Sequence, residues 1–178
     1  MPKKFLSFII LLFILVKSNA QIEVSKLIGK NSSDYRIGYG GFLKFSYPVS
    51  DGDDVSLETG VHIFFDKDYS EYGMADVPLK VGYRYTLNRA GTGFYVEPQL
   101  GYNIYGVNSY YDQINYKDVD EKFHGIILSG GVGYLFQPGI VQFDLGIRYE
   151  SVMYNGKSLN YVSFRLTHNF SFKKRDDY

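Results

Sequence analysis

Residues 55–65 read VSLETGVHIFF. The odd positions Val55, Leu57, Thr59, Val61, Ile63 and Phe65 are apolar apart from the threonine, and the intervening Ser56, Glu58, Gly60 and His62 are polar or small. A β-strand turns successive side chains to opposite faces, so this stretch offers one face to an apolar medium and the other to polar contents. Six other stretches repeat the pattern. Residues 34–47 set Tyr35, Ile37, Tyr39, Leu43 and Phe45 against Arg36, Gly38, Gly40 and Lys44, and residues 77–87 alternate Val77, Leu79, Val81, Tyr83, Tyr85 and Leu87 with Lys80, Gly82, Arg84 and Thr86. In residues 94–104, Phe94, Val96, Leu100, Tyr102 and Ile104 oppose Glu97, Gln99, Gly101 and Asn103. Pro98 there lacks a ladder donor and requires a bulge or an unpaired position. Residues 124–136 show Ile126, Leu128, Val132, Tyr134 and Phe136 against Ser129, Gly131 and Gly133, with Ile127 out of phase. Residues 140–150 put Val141, Phe143, Leu145, Ile147 and Tyr149 opposite Gln142, Asp144, Gly146, Arg148 and Glu150. Residues 161–172 put Val162, Phe164, Leu166, Phe170 and Phe172 opposite Ser163, Arg165, Thr167, Asn169 and Ser171, with His168 the one polar residue on the apolar side.

Ahead of these strands, Lys3 and Lys4 precede the apolar run Phe5 to Val16, and Lys17-Ser18-Asn19-Ala20 follows it. The run is too short for a spanning helix, which needs about 20 residues, and the small residues suit a cleavage site. Residues 1–20 are therefore expected to be a signal peptide and residues 21–178 a single domain. Loss of Lys3, Lys4 and Lys17 leaves 16 basic residues against 19 acidic ones, which speaks against a nucleic-acid partner. With no cysteine, an exported chain of this size has neither disulfides nor a lipid-attachment site.

The connectors SDGDD, NRAGT and QPG are short, as periplasmic turns are, and the alternate connectors are longer. A mature chain that starts in the periplasm then needs one more outward-running strand, and residues 22–30 are the only candidate, although their alternation is poor. The expected fold is an all-β, eight-stranded, antiparallel up-and-down transmembrane β-barrel. A soluble barrel with an apolar interior gives the same period. The polar face decides between them: it is rich in glycine and carries scattered charges of both signs, as befits a crowded lumen. Aromatic girdles are expected at Tyr35, Phe65, Tyr102, Tyr149 and Tyr161 at one end and at Tyr47, Phe94, Phe136 and Phe172 at the other.

The stretches RIGYGGFLKF, LKVGYRY, VEPQLGY and GGVGYLF give the whole mature chain a glycine-aromatic style. In that style it resembles the outer-membrane protein β-barrel domain family, the small OmpA-like and PorT-like barrels of Bacteroidota. Arg165, Phe170 and Phe172 match that family's barrel-assembly signal. Thr167 stands where glycine is usual, and residues 173–178 run past the expected terminus. The resemblance implies residence in the cell outer membrane, contact with its lipids and with the barrel-assembly machinery during insertion, and either a structural or surface-contact role or service in a secretion or gliding machine.

The expected lumenal charge network comprises Lys44, Glu58, His62, Lys80, Arg84, Glu97, Asp144, Arg148 and Arg165. A turn at Asp51 sets Lys44 opposite Glu58, and one near Ala90 sets Arg84 beside Glu97. Together with Arg36, Phe42 and Gln99 these groups should plug an eight-stranded lumen, which is only just wide enough for side chains. The three histidines, His62, His124 and His168, lie on separate strands, so neither a metal nor any other cofactor is expected. No G-x-S-x-G element is present, and His124 with Asp112 is the least unfavourable pair for an enzyme at the outer rim. The Asp-Gly cluster of SDGDD lacks EF-hand spacing and reads as a turn. The longest loop, residues 106–122, presents Tyr110, Tyr111, Asp112 and Tyr116. It suits contact with a protein partner, or else extends the barrel wall above the membrane.

Overall fold

The computed structural model describes residues 17–29, 32–69, 72–88, 92–137 and 142–170. Eight strands follow in order: β1 (Lys17–Ile28), β2 (Gly38–Ser50), β3 (Asp53–Phe65), β4 (Gly73–Thr86), β5 (Gly93–Asp112), β6 (Lys117–Phe136), β7 (Gln142–Tyr154) and β8 (Lys157–Phe170). Each pairs antiparallel with its neighbour in sequence, and β1 pairs with β8 to close the barrel. Closure removes every free edge, which is what a sheet needs where no water can satisfy its backbone.

The eighth strand required by parity is present, shifted from the expected residues 22–30 to Lys17–Ile28. Its alternation is better than the sequence suggests. Gln21, Glu23 and Ser25 turn inward and Ile22 and Val24 outward; the pattern is blurred because Leu27 is inward and Lys26 outward. β1 begins four residues before the expected cleavage point, with Ala20 opposite Leu43 and His168.

Two expected loops are strands. β5 and β6 hold 20 residues each against 12 to 14 in the others, so residues 106–122 form a protruding hairpin with only Gln113–Tyr116 as its turn. At about 3.3 Å per residue and a tilt near 45°, such strands rise roughly 45 Å along the barrel axis, well past an apolar band of about 25 Å. The connection after residue 150 is a two-residue turn, Asn155-Gly156, with φ of 46° and 72°. Both values lie in the left-handed region that a type I′ hairpin requires and that Asn-Gly adopts at low cost. At these two connections strand extension, rather than loop length, marks this end of the barrel, while those after β1 and β3 are long as expected.

Pro98 keeps its place opposite Gly130. On its other side the β4–β5 ladder passes from Gly82↔Gln99 to Tyr85↔Val96 without changing register, so Pro98 takes the unpaired position its missing N–H demands. The register shift between β4 and β5 falls instead at Val77/Pro78.

Side-chain directions settle which face meets which medium. Ile22, Leu43, Leu57, Val81, Leu100, Ile147 and Phe164 stand on the outer wall, with Val81 54% and Leu100 59% exposed, while Glu58, Arg148 and Arg165 are sealed inside at 0–1%. An apolar exterior of this extent far exceeds the few hundred Å² that a monomer tolerates in water. The ionised interior also excludes a lipocalin-like arrangement.

Candidate functional site

The lumen is filled in two layers. In the layer nearer the short turns, Glu97 on β5 accepts from Lys44 on β2 and lies 3.0 Å from Arg165 on β8 and 3.3 Å from Arg84 on β4. Asp144 on β7 meets Arg84 at 2.7 Å and takes a hydrogen bond from Tyr95 at 2.8 Å. The Arg84 guanidinium stacks 4.0 Å from the Tyr95 ring centroid. Room for that tyrosine comes from Gly133 and Gly146, where an added Cβ would stand 2.3 and 2.8 Å from its hydroxyl.

Above this, Arg148 on β7 forks onto Glu58 on β3 at 2.6 and 3.1 Å and reaches Glu23 on β1 at 2.8 Å. Lys80 on β4 bridges Glu58 at 3.0 Å and Glu150 at 2.7 Å, and Tyr161 donates to Glu150. The extended end is closed by an apolar plug of Leu27, Phe64, Met74, Phe123, Ile127, Val152 and Tyr161. Ile127, the residue out of phase, is fully buried in that plug. His62 lies against Phe64 and Tyr161 with ring centroids 4.9 Å apart in each case, and bonds to Ser25 at 2.7 Å.

All nine expected lumenal groups are therefore inside, but the pairing differs in one respect. Lys44 and Glu58 are cross-strand partners as expected, yet Lys44 bonds to Glu97 and Glu58 takes Arg148 and Lys80. An eight-stranded lumen is so narrow that charges reach across it as readily as along one wall. A double-mutant cycle should accordingly show strong coupling between Lys44→Ala and Glu97→Ala, and weaker coupling between Lys44→Ala and Glu58→Ala, by urea unfolding.

Other expectations need correction. Arg36 is exposed, not lumenal, and donates to the Lys67 carbonyl at 2.8 Å, because β2 begins only at Gly38. Tyr161 is fully buried: it shares the inward parity of Ser163 and Arg165 and belongs to no girdle. Tyr35 is half-buried over the apolar plug and donates to Asn108 at 2.8 Å. Tyr47, Phe65, Phe94, Tyr102, Phe136 and Tyr149 do stand exposed on the outer wall, and Phe172 lies outside the described residues. Glu23, Asp76, Tyr95 and Tyr161 are further interior residues beyond the nine expected, and parity with their inward neighbours marks each in the sequence.

The β5–β6 hairpin is braced from three sides: Tyr72 donates to Asp118 at 2.5 Å, Lys157 meets Glu121 at 2.9 Å, and Tyr35 reaches Asn108. Tyr110, Tyr111 and Tyr116 are exposed on it. Asp112 caps its turn, accepting from Asn115 Nδ2 at 2.7 Å and from the Ile114 N–H at 2.9 Å. The Asn115 bonds, side chain first, hold the Asp112 carboxyl below its usual range. His124 sits seven residues down β6 from Lys117, the partner of Asp112, a separation of about 23 Å that rules out an acid-base pair.

A closed eight-stranded barrel, ionised within and apolar without, is a transmembrane β-barrel. Three solved structures share this architecture and show the fold: Ail, the attachment invasion locus protein of Yersinia pestis (TM-score 0.61, 11% identity, 87% of this chain and 97% of that one); the N-terminal β-barrel domain of Pseudomonas aeruginosa OprF (0.59, 15%, 87% and 99%); and Neisserial surface protein A (0.56, 12%, 88% and 97%). No protein-family model and no curated protein sequence matches the chain.

Proposed function

We propose that the chain is an integral outer-membrane protein with a structural or surface-contact role, exported by residues 1–20. Its lumen conducts nothing, and its braced Tyr-rich hairpin is the contact platform for a protein partner. The observation that carries this reading is the interlocked lumen, where Glu97 and Glu58 between them hold five cationic side chains. Planar-bilayer recording from the pure folded protein should be silent, and stable large-conductance openings would contradict it. Cleavage after Ala20 would trim β1 to Gln21–Ile28, which N-terminal sequencing of the membrane-extracted chain checks. The finer reading as an accessory barrel of a secretion or gliding machine rests on the PorT-like style of the sequence. Co-purification from native membranes of a stoichiometric envelope complex, lost when residues 108–121 are shortened, would support it.

A further inference from the structure

On the outer wall, where the extended end begins, the β1–β2 and β3–β4 connections part over an open cleft of about 860 Å³ lined by Lys26, Arg36, Lys67, Ile37, Tyr39 and Phe65 among others. Its position is fixed by register. Val24, Tyr39 and Ile63 are cross-strand neighbours, all outward, and form a row of the apolar wall. Lys26 is the next outward residue above Val24, and Phe65 the next above Ile63. The cleft therefore sits one rung above hydrocarbon-facing side chains, at headgroup height, and Lys26 is placed to snorkel.

Its charge has one sign. Lys26 donates to the carbonyls of Tyr35 (2.6 Å) and Ser32 (3.2 Å), and Arg36 to that of Lys67, so these bonds orient the cations without neutralising them. Among the described residues no salt bridge reaches Lys26, Arg36 or Lys67, and no carboxylate lines the cleft. The nearby acids are turned into their own loops: Asp66 accepts from the N–H groups of Asp68 and Tyr69, and Asp34 from Ser33. Three cations above an apolar floor match a ligand with an anionic head and hydrocarbon tails.

We infer that this cleft binds the phosphate of a phosphorylated glycolipid in the outer leaflet, with Lys26, Arg36 and Lys67 on the phosphate and the Ile37-Tyr39-Phe65 surface along the acyl chains. Three cations with no carboxylate among them call for more than one negative charge, which the head of a doubly phosphorylated glycolipid carries and a singly charged phospholipid does not. The inference rests on the membrane reading above and on the extended end facing outward.

The test uses the full chain refolded into phosphatidylcholine vesicles, with the heat-dependent gel shift recorded first. Failure to insert there overturns the membrane reading itself, independently of any ligand. Vesicles doped with fluorescent lipid A then report its enrichment around the barrel by energy transfer. A basic residue at an anionic lipid surface contributes about fivefold, so Lys26→Gln, Arg36→Gln and Lys67→Gln together should lower enrichment by roughly a hundredfold. Lys122→Gln, exposed elsewhere on the barrel, should leave it unchanged. Unchanged enrichment in the cleft variant, equal binding of dephosphorylated lipid A, or equal enrichment of phosphatidylglycerol would each overturn the proposal.

Discussion

Arg148→Met should lower the stability of the folded barrel by about 3–5 kcal/mol, the range in which removal of one partner leaves buried charges uncompensated. Arg148 is the cation that joins β7 to β3 and β1, touching Glu58 at 2.6 Å, Glu23 at 2.8 Å and Glu150 at 3.7 Å. Without it Glu58 and Glu150 still share Lys80. Among the described residues Glu23 is then left with the Gln21 amide as its one hydrogen-bond donor, at 2.7 Å. Neutralising that orphan should restore part of the loss, so Arg148→Met with Glu23→Gln is expected to be less destabilised than the sum of the single variants. Urea unfolding in vesicles, followed by the mobility of the folded band, measures both. A loss below about 1 kcal/mol for Arg148→Met would show that the network contributes as little as surface ion pairs do.

The second large effect belongs to the outer wall. Val81 stands between Leu57 and Leu100 on neighbouring strands, all three outward. An arginine facing lipid costs roughly 2–4 kcal/mol near the midplane and about 0–1 near an interface. Val81→Arg should therefore destabilise by the larger amount and Tyr47→Arg, near the turn end, by the smaller. Equal effects at the two sites would mean that the wall does not sense membrane depth.

Period-2 patterning in VSLETGVHIFF and its repeats specifies seven strands and their facing, and parity adds the eighth; slipping by one residue would place Lys80 or Arg84 in hydrocarbon. Legibility falls off where that penalty vanishes. Above the membrane, residues 106–122 are wet on both sides and carry no alternation, so a long hairpin reads as a loop. At 151–156 the Asn155-Gly156 pair forms a tight hairpin where the alternation of short and long connectors implies a longer loop. Within the site, facing is legible and partners are not. Alternation places Lys44 and Glu58 inward, but which carboxylate a long side chain reaches depends on barrel diameter and tilt, which bring Glu97 on β5 to Lys44 on β2. Tyr161 shows how residue type can mislead: an aromatic near a strand end suggests a girdle, yet its parity sends it inward to Glu150.

The central claim, an apolar wall in hydrocarbon around a charged plug, is tested most directly by fluorescence, since the chain contains no tryptophan. A single tryptophan at Val81, Leu100 or Ile147, in protein inserted into vesicles, should emit in the blue, be quenched strongly by brominated phospholipid and be shielded from aqueous iodide. Quenching by iodide with no effect of brominated lipid at these three positions would contradict the account.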